Sequence, residues 1–495
     1  MKLSELLYDV KLEGGLPQQL QNSEISSLCC DSRKAMPGSV FVCISGAVAD
    51  GHEYAASAYE HGCRVFVAER ELSLPSDAII LIAENTRIAL ARMSQTFFGD
   101  PSKELKVIGI TGTKGKTTTA HIIYHVLNTC GIKTGYIGTN GVLFDGNFYE
   151  TVNTTPESYD LAQYMRKMLD AGVKYLVLEV SSQAIYLDRI YGMSFETAVF
   201  TNLSPDHIGG NEHPNFEHYR DCKARLFSDY SPKIAVYNED DEASSYMMKD
   251  CSAPKFSYSL KGSGHFNASA VSYYREGGRL GVKFEIKAGS ELCEKADLPL
   301  PGEFNVSNAL AATAVCLYAG VSLKNIASAL GSVSLKGRFE VVDALPYATF
   351  IIDYAHNGVS LRSVLGVLRE YEPTRLICVF GSVGGRTKLR RRELGKAASE
   401  LCDFCIITSD NPDNEPPEQI IDEIASHFAE DGCPYVKIPS RREAVLYAVR
   451  NARKGDIVLF AGKGHEDYQL ICGKREYFCE KETIIEGAFG MLLGR

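Results

Sequence analysis

Val107-Ile-Gly-Ile-Thr-Gly-Thr-Lys-Gly-Lys116-Thr-Thr-Thr119 decides the fold. Four apolar or small residues, Val107 to Ile110, read as a buried strand, and the pattern Ile122, Ile123, Val126, Leu127 after the glycines reads as a helix. A glycine loop between strand and helix turns backbone N–H groups and the positive end of the helix dipole toward an anion. Lys116 would then reach terminal phosphate oxygens, and the Thr117 hydroxyl could hold a magnesium ion. The loop is shorter than the general phosphate-binding pattern, because Ile110 stands where a first glycine is usual. A glycine-rich turn that binds nothing is the bland alternative, and the flanking strand and helix patterns weigh against it.

Outward from this loop, strands alternate with helices. Tyr175 to Val180, Thr197 to Thr201 and Ile234 to Tyr237 read as further strands of a mostly parallel sheet. Upstream, Val40 to Ile44 and Val65 to Ala68 flank a helical stretch from Tyr54 to His61, and Pro101 marks the exit from that unit. Alternating segments such as Gly281-Val-Lys-Phe-Glu-Ile-Lys287 read as antiparallel strands appended to the central unit, followed by a helix from Asn308 to Ala319. Beyond Leu335-Lys-Gly-Arg338, strands at Phe350 to Asp353, Leu376 to Phe380, Phe404 to Thr408 and Ile457 to Ala461 begin another alternation. The expectation is an α/β protein of three domains, 1–104, 105–336 and 337–495, the central one a P-loop-type parallel sheet and the last Rossmann-like.

A chain of 495 residues suits that division. Its net charge of -10 argues against a nucleic-acid binder and requires positive charge to be gathered locally for anionic substrates. Arg386, Lys388, Arg390, Arg391 and Arg392 are one such gathering. No run approaches membrane-spanning length and the first residues lack a signal-peptide core, so no membrane role and a cytoplasmic location are expected. Fifteen cysteines without framework spacing suit free thiols in a reducing compartment. Cys402-Asp-Phe-Cys405 has C-x-x-C spacing, but with no second pair nearby in sequence it reads as a partly buried structural pair.

Glu179 ends an apolar strand, and ligands of doubly wound sheets sit at the carboxyl ends of strands. Beside Lys116 it is a candidate magnesium ligand, since a metal bridging phosphates needs oxygen donors opposite the lysine. Thr201-Asn-Leu-Ser-Pro-Asp-His207 puts more polar groups after the next strand. Tyr219 to Phe227 reads as an amphipathic helix in which nothing local distinguishes Lys223.

Thr111-Gly-Thr-Lys-Gly-Lys-Thr-Thr118, Glu179-Val-Ser-Ser182, Thr201 to His207, Asn305-Val-Ser-Asn308, Asp353-Tyr-Ala-His356, Asp410-Asn-Pro412 and Gly462-Lys-Gly-His-Glu466 resemble, in this order, motifs of the Mur ligases. With Asp31-Ser-Arg33 and Asp50-Gly-His52, the resemblance spans essentially the whole chain and is strongest to the branch that adds the third residue of the peptidoglycan stem peptide. It implies a cytoplasmic, ATP- and magnesium-dependent amide ligase, expected to act as a monomer. It would join a free diamino acid to UDP-MurNAc-L-Ala-D-Glu through an acyl phosphate, in cell-wall synthesis. Residue by residue, it implies that Gly112, Thr113, Gly115, Lys116, Thr117 and Thr118 hold phosphate. Thr117, Glu179, His207 and Lys223 would surround magnesium, with Lys223 carbamylated and with Lys116, Lys223 and His207 the catalytic set. Asn305 would contact adenine, and Arg338 and Asp353 would engage ATP from the third domain, so that domain closure would assemble the site. Ser32, Thr154, Thr155, Ser181 and Arg189 would contact the UDP-linked dipeptide. Arg391, Asp410, Asn411, Asp413, Gly462 and Glu466 would form the pocket of the incoming amino acid.

The chain departs from the pattern at Lys114, where the family usually has Asn, at Gln183, where it has His, and at Asp413. Members that add meso-diaminopimelate resemble one another in Asp-Asn-Pro-Arg, whose guanidinium would pair with the distal carboxylate. Asp413 in that place favours L-lysine as the added residue, while the Arg390 to Arg392 run leaves meso-diaminopimelate open. A folylpolyglutamate-type ligase shares the loop but begins almost directly with the ATPase domain. A GTP-binding switch would need an Asn-Lys-x-Asp segment, which does not occur. A ligase-like binding protein without turnover is the remaining alternative.

Overall fold

The computed structural model describes residues 1–495 apart from 47–48, 207, 210–211, 277–278, 290–291, 386–387 and 493–495. The chain divides into two compact units, Met1–Asn267 with Asn308–Ser322, and Ala268–Ser307 with Leu323–Arg495.

The first unit holds a parallel sheet of Ser27–Cys29, Ser39–Val42, Val65–Ala68 and Ile79–Ile82, in that order. A larger sheet follows. Its strands run Lys255–Ser259, Ile234–Asn238, Thr197–Phe200, Lys106–Thr111, Tyr175–Glu179 and Thr134–Gly138, all parallel, and then Gly141–Phe144 and Asn147–Tyr149, antiparallel. Lys106–Thr111 lies at its centre and is buried from Val107 onward, as its apolar run requires. The register sets Ile110 beside Glu179 and Thr111 beside Phe200, so the loops leaving three neighbouring strands emerge together.

In the second unit the sheet order is Glu340–Val342, Thr349–Asp353, Ile457–Ala461, Leu376–Phe380, Phe404–Ile407 and Tyr435–Lys437, antiparallel only at its first pair. The antiparallel strands Arg279–Ala288 and Leu292–Leu298 pair with each other and fall in this compact unit. The Arg275 guanidinium donates to Gly455 O and Asp456 O at 2.9 and 2.7 Å, and Tyr371 Oη donates to Gly281 O at 3.0 Å. These bonds tie residues 268–307 to the C-terminal sheet.

The C-x-x-C cysteines are buried, and the sheet brings others to them. Cys378 and Cys405 are register partners on adjacent strands, and Cys433 Sγ lies 3.5 Å from Cys405 Sγ.

Arg441 carries the largest side chain among the fully buried residues. Its guanidinium donates to Glu480 Oε1 at 2.9 Å, to Ala461 O at 2.9 Å and to Ser409 O at 3.2 Å, clamping two strand ends beside Asp410 and Gly462. Burial pushes the Glu480 carboxyl up, against the pull of Arg441. Arg441→Met is expected to destabilise this unit by about 3–5 kcal/mol, because an unpaired buried carboxylate remains. Adding Glu480→Leu should recover much of that loss in denaturant unfolding; a single variant as stable as the parent would show the pair to be dispensable.

Candidate active site

The helix Lys116–Thr129 follows the central strand after a turn that only glycine accommodates. Gly112 and Gly115 have φ of 149° and 84°, and a Cβ at either would run into Thr201 Oγ1 or Asn308 Oδ1. The Thr201 hydroxyl and the Asn202 amide both donate to Lys114 O, at 2.7 and 2.9 Å, pinning the loop to the neighbouring strand end. Thr113 Oγ1 bonds Ser204 O at 3.1 Å and pairs with Tyr219 Oη at 3.0 Å.

Two lysines converge on this loop. Lys116 Nζ donates to Gly112 O and Thr113 O at 2.8 and 2.9 Å, and Lys223 Nζ donates to the same Gly112 O at 2.9 Å. Lys223 is 1% exposed, and burial, followed by the nearby Lys116 charge, pushes its ammonium well below the usual lysine range.

Glu179 is fully buried at the end of its strand and faces the loop. Thr117 Oγ1 donates to its Oε2 at 2.9 Å, while Tyr136 Oη and the Thr139 N–H donate to Oε1 at 2.6 and 3.1 Å. Tyr136 and Thr139 were not among the residues the sequence singled out. Thr139 Oγ1 lies 3.2 Å from both Glu179 Oε2 and Thr154 Oγ1. The carboxylate is thus oriented by hydroxyls and a backbone amide, and a carboxylate with a nearby threonine hydroxyl is the hard oxygen set that suits a small divalent cation. His207, expected as a fourth member, lies outside the described residues, as does Arg386.

Next to this set, Thr155 Oγ1 donates to Glu179 O at 2.7 Å and accepts from Ser181 N at 3.1 Å. Ser181 Oγ caps the helix Ser182–Tyr186, and Arg189 donates to Glu157 Oε1 and Thr155 O at 2.7 and 3.1 Å. Thr154, Thr155, Ser181 and Arg189 therefore lie together. Ser32 is buried in the short 3-10 helix Ser32–Lys34.

The second unit gathers the other candidates. Asp353 is buried, accepting from Phe339 N and Ala355 N at 2.9 Å each; burial pushes its carboxyl up and Arg338 opposes that. The Asn305 amide donates to Pro301 O at 2.8 Å. Lys463, a motif residue with no role assigned to it from sequence, is fully buried and donates to Asn411 Oδ1 and Glu466 Oε2 at 2.7 and 2.8 Å. Asn411 Nδ2 also donates to Glu466 Oε2 at 3.0 Å, so these side chains fix one another. Asp410 Oδ1 is buried without a hydrogen-bond partner, 3.6 Å from Lys463 Nζ. Gly462 has φ of 111°, and a Cβ there would press on Asp410 Oδ2 at 2.8 Å.

Two residues expected in this pocket have protein partners of their own. Asp413 Oδ1 accepts from Gly473 N at 2.8 Å, and its own N–H and C=O bond Leu470 and Cys472. It anchors the Tyr468–Ile471 and Lys474–Tyr477 hairpin, which the sequence reading did not contain. Arg391 is 2% exposed, and its terminal nitrogens are taken by Glu415 at 2.6 and 2.7 Å and by Glu423 at 2.8 Å. Arg390, one residue earlier and only half-buried, acts electrostatically with Asp410 and Arg338 on His356, whose imidazolium is disfavoured chiefly by burial.

Comparison with known proteins fits this geometry. Residues 24–97 match the Mur ligase family catalytic domain, 110–316 the Mur ligase middle domain and 337–464 the Mur ligase glutamate ligase domain. A UDP-N-acetylmuramoyl-L-alanyl-D-glutamate–2,6-diaminopimelate ligase of Caldanaerobacter subterraneus subsp. tengcongensis is 39% identical over 487 residues, 98% of each chain. The chain belongs to the Mur ligase family. A Mur ligase of the same name from Geobacillus thermodenitrificans is 40% identical over 479 residues, 95% of this chain and 96% of its own. A solved structure bearing that name superposes with a TM-score of 0.73 at 27% identity, covering 99% of both chains. Membership makes the chain an ATP-dependent acid–amino-acid ligase of peptidoglycan synthesis. The preference for lysine finds no support among these Mur ligases, which are named for diaminopimelate.

Proposed function

We propose that this Mur ligase adds meso-diaminopimelate to the D-glutamyl γ-carboxylate of UDP-MurNAc-L-Ala-D-Glu. The names of relatives near 40% identity along the whole chain carry this reading. Arg390 is the cation we assign to the distal carboxylate, and Asp410 Oδ1 the acceptor for the α-ammonium.

In the reaction, the γ-carboxylate attacks the ATP γ-phosphate to give an acyl phosphate and ADP. The incoming amine then attacks the acyl carbon and phosphate leaves. Lys116 and the loop N–H groups balance charge on the transferring phosphoryl group, a role of electrostatics and positioning. Thr117, Glu179, His207 and carbamylated Lys223 would hold magnesium, which supplies further charge neutralisation when bound. Thr154, Thr155, Ser181 and Arg189 orient the dipeptide, and Ser32 the uridine end. Asn305, Arg338 and Asp353 serve the nucleoside. Fifteen free cysteines suit the reducing cytoplasm, where we expect the enzyme to act as a monomer.

The test is to supply the purified protein with ATP and the UDP-linked dipeptide and to compare meso-diaminopimelate, lysine and ornithine as acceptors. Phosphate release coupled to tripeptide formation is expected with meso-diaminopimelate; preference for lysine or ornithine would reverse the assignment. Arg390→Ala is expected to raise KM for meso-diaminopimelate by about ten- to a hundredfold, the loss of one charge-assisted pair, with little change for ATP.

A further inference from the structure

His213, His218 and Cys222 stand outside the residues assigned above, and their ligand atoms all lie within 4.8 Å of one another. The spacing H-x4-H-x3-C explains how. The helix Phe216–Ser228 is capped by Asn215, whose Oδ1 accepts from His218 N at 2.8 Å. His218 and Cys222 are one turn apart on one face of it, and His213 lies just ahead of the cap. His213 Nδ1 faces His218 Nδ1 at 2.8 Å, and Cys222 Sγ is 3.8 Å from the same His218 nitrogen.

The second nitrogen of His213 is held as well. Its Nε2 lies 2.8 Å from Ser182 Oγ. A proton on Nε2 donated to that hydroxyl leaves the Nδ1 lone pair directed at the cluster, and metal-ligating imidazoles are oriented in this way by a partner on the other ring nitrogen. His213 and Cys222 are buried, whereas half-buried His218 gives access from solution. The Tyr186 ring packs 4.8 Å from His218 and 5.9 Å from His213, restricting both rings.

We propose that His213 Nδ1, His218 Nδ1 and Cys222 Sγ bind one zinc-class divalent cation, with water in the fourth position. Two imidazoles and a thiolate are borderline-soft donors that select zinc or cobalt over magnesium, and the oxygen set around Glu179 has the opposite preference. Bonds of about 2.0–2.1 Å to nitrogen and about 2.3 Å to sulfur at tetrahedral angles require the two Nδ1 atoms to part by roughly half an ångström and the sulfur to close on His213 Nδ1 by up to about 1 Å. Binding transfers one proton from the Cys222 thiol to solvent, and the metal–sulfur bond forms with the thiolate lone pair. Cys222 is covalently next to Lys223, so the cation would stiffen the helical turn that delivers Lys223 to Gly112 O.

The test uses the metal-free full chain in saturating magnesium, titrated with cobalt(II). A thiolate-to-cobalt charge-transfer band that saturates at one equivalent and is displaced by zinc is expected. Cys222→Ser should lose the band with its circular dichroism unchanged. His218→Ala should weaken cobalt binding at least about tenfold, the least that disrupting such a site costs. No thiolate band in the parent, or the same band in Cys222→Ser, which keeps the other fourteen cysteines, would overturn the assignment.

Discussion

Lys116→Ala is expected to lower kcat/KM for ATP-dependent phosphate release by about a thousandfold or more, roughly 4 kcal/mol of transition-state stabilisation. The side chain does no core packing: it is half-buried and arches over its own loop to Gly112 O and Thr113 O. These carbonyls hold the ammonium where the loop and the helix N-terminus turn their N–H groups outward, so the charge is placed before substrate arrives. Removing it takes charge from the phosphoryl group as that group separates from ADP, and the loss should appear mainly in kcat. Lys116→Arg should fail to restore activity, because a planar fork cannot occupy the position of a compact ammonium bonded to two carbonyls. Circular dichroism should be unchanged in both variants, since Gly112, Gly115 and the bonds from Thr201 and Asn202 define the turn without Lys116. Turnover near the parent rate in Lys116→Ala would remove the loop from the mechanism.

What the sequence exposes here, and what it hides, follows from the range of each interaction. The strand Lys106–Thr111 and the helix Lys116–Thr129 were legible because a continuous apolar run, a glycine turn and a 3.6-residue period are all local. Glu179 was legible as an acid ending a strand, but Tyr136 and Thr139, which orient it, come from a strand some forty residues earlier that only the sheet order brings alongside. The partners of Arg391 are hidden for a similar reason. The resemblance assigns it to a carboxylate of the incoming amino acid, and nothing local shows that Glu415 and Glu423 reach it from other segments. Asp413 was read against an ammonium because its partner, Gly473, lies sixty residues on in a hairpin with no strong alternation. The C-x-x-C pair likewise seemed isolated until strand register placed Cys378 beside Cys405. One signal was present and overlooked: on the helix Phe216–Ser228 the buried stripe is Tyr219, Cys222, Lys223, Leu226 and Phe227, a lysine at a core position.

That buried lysine is the site of the second large expected effect. Lys223→Ala should reduce turnover by about a hundredfold or more, a loss of the size that removing one preorganised electrostatic group produces. As an ammonium, Lys223 would lie at Gly112 O and close to Lys116, with no ion pair to a carboxylate among the described residues, and burial together with that like charge outweighs Asp206 and drives it toward the neutral amine. A neutral amine is the form that adds carbon dioxide, and the carbamate so formed reverses the sign of the position. It would attract Lys116 instead of repelling it and offer oxygen donors on the same side of the loop as Glu179 and Thr117. Intact-mass measurement should therefore show a gain of one carboxyl group in the parent that is missing from Lys223→Ala. Protein held in carbon dioxide-depleted buffer should lose kcat and regain it with bicarbonate, while a purely structural lysine would respond to neither treatment. Lys223→Met, which keeps the bulk of the stem in the apolar stripe, separates packing from charge. If it folds like the parent and stays inactive, the nitrogen and what it carries are required; if either variant turns over at full speed, Lys223 has no part in the cation site.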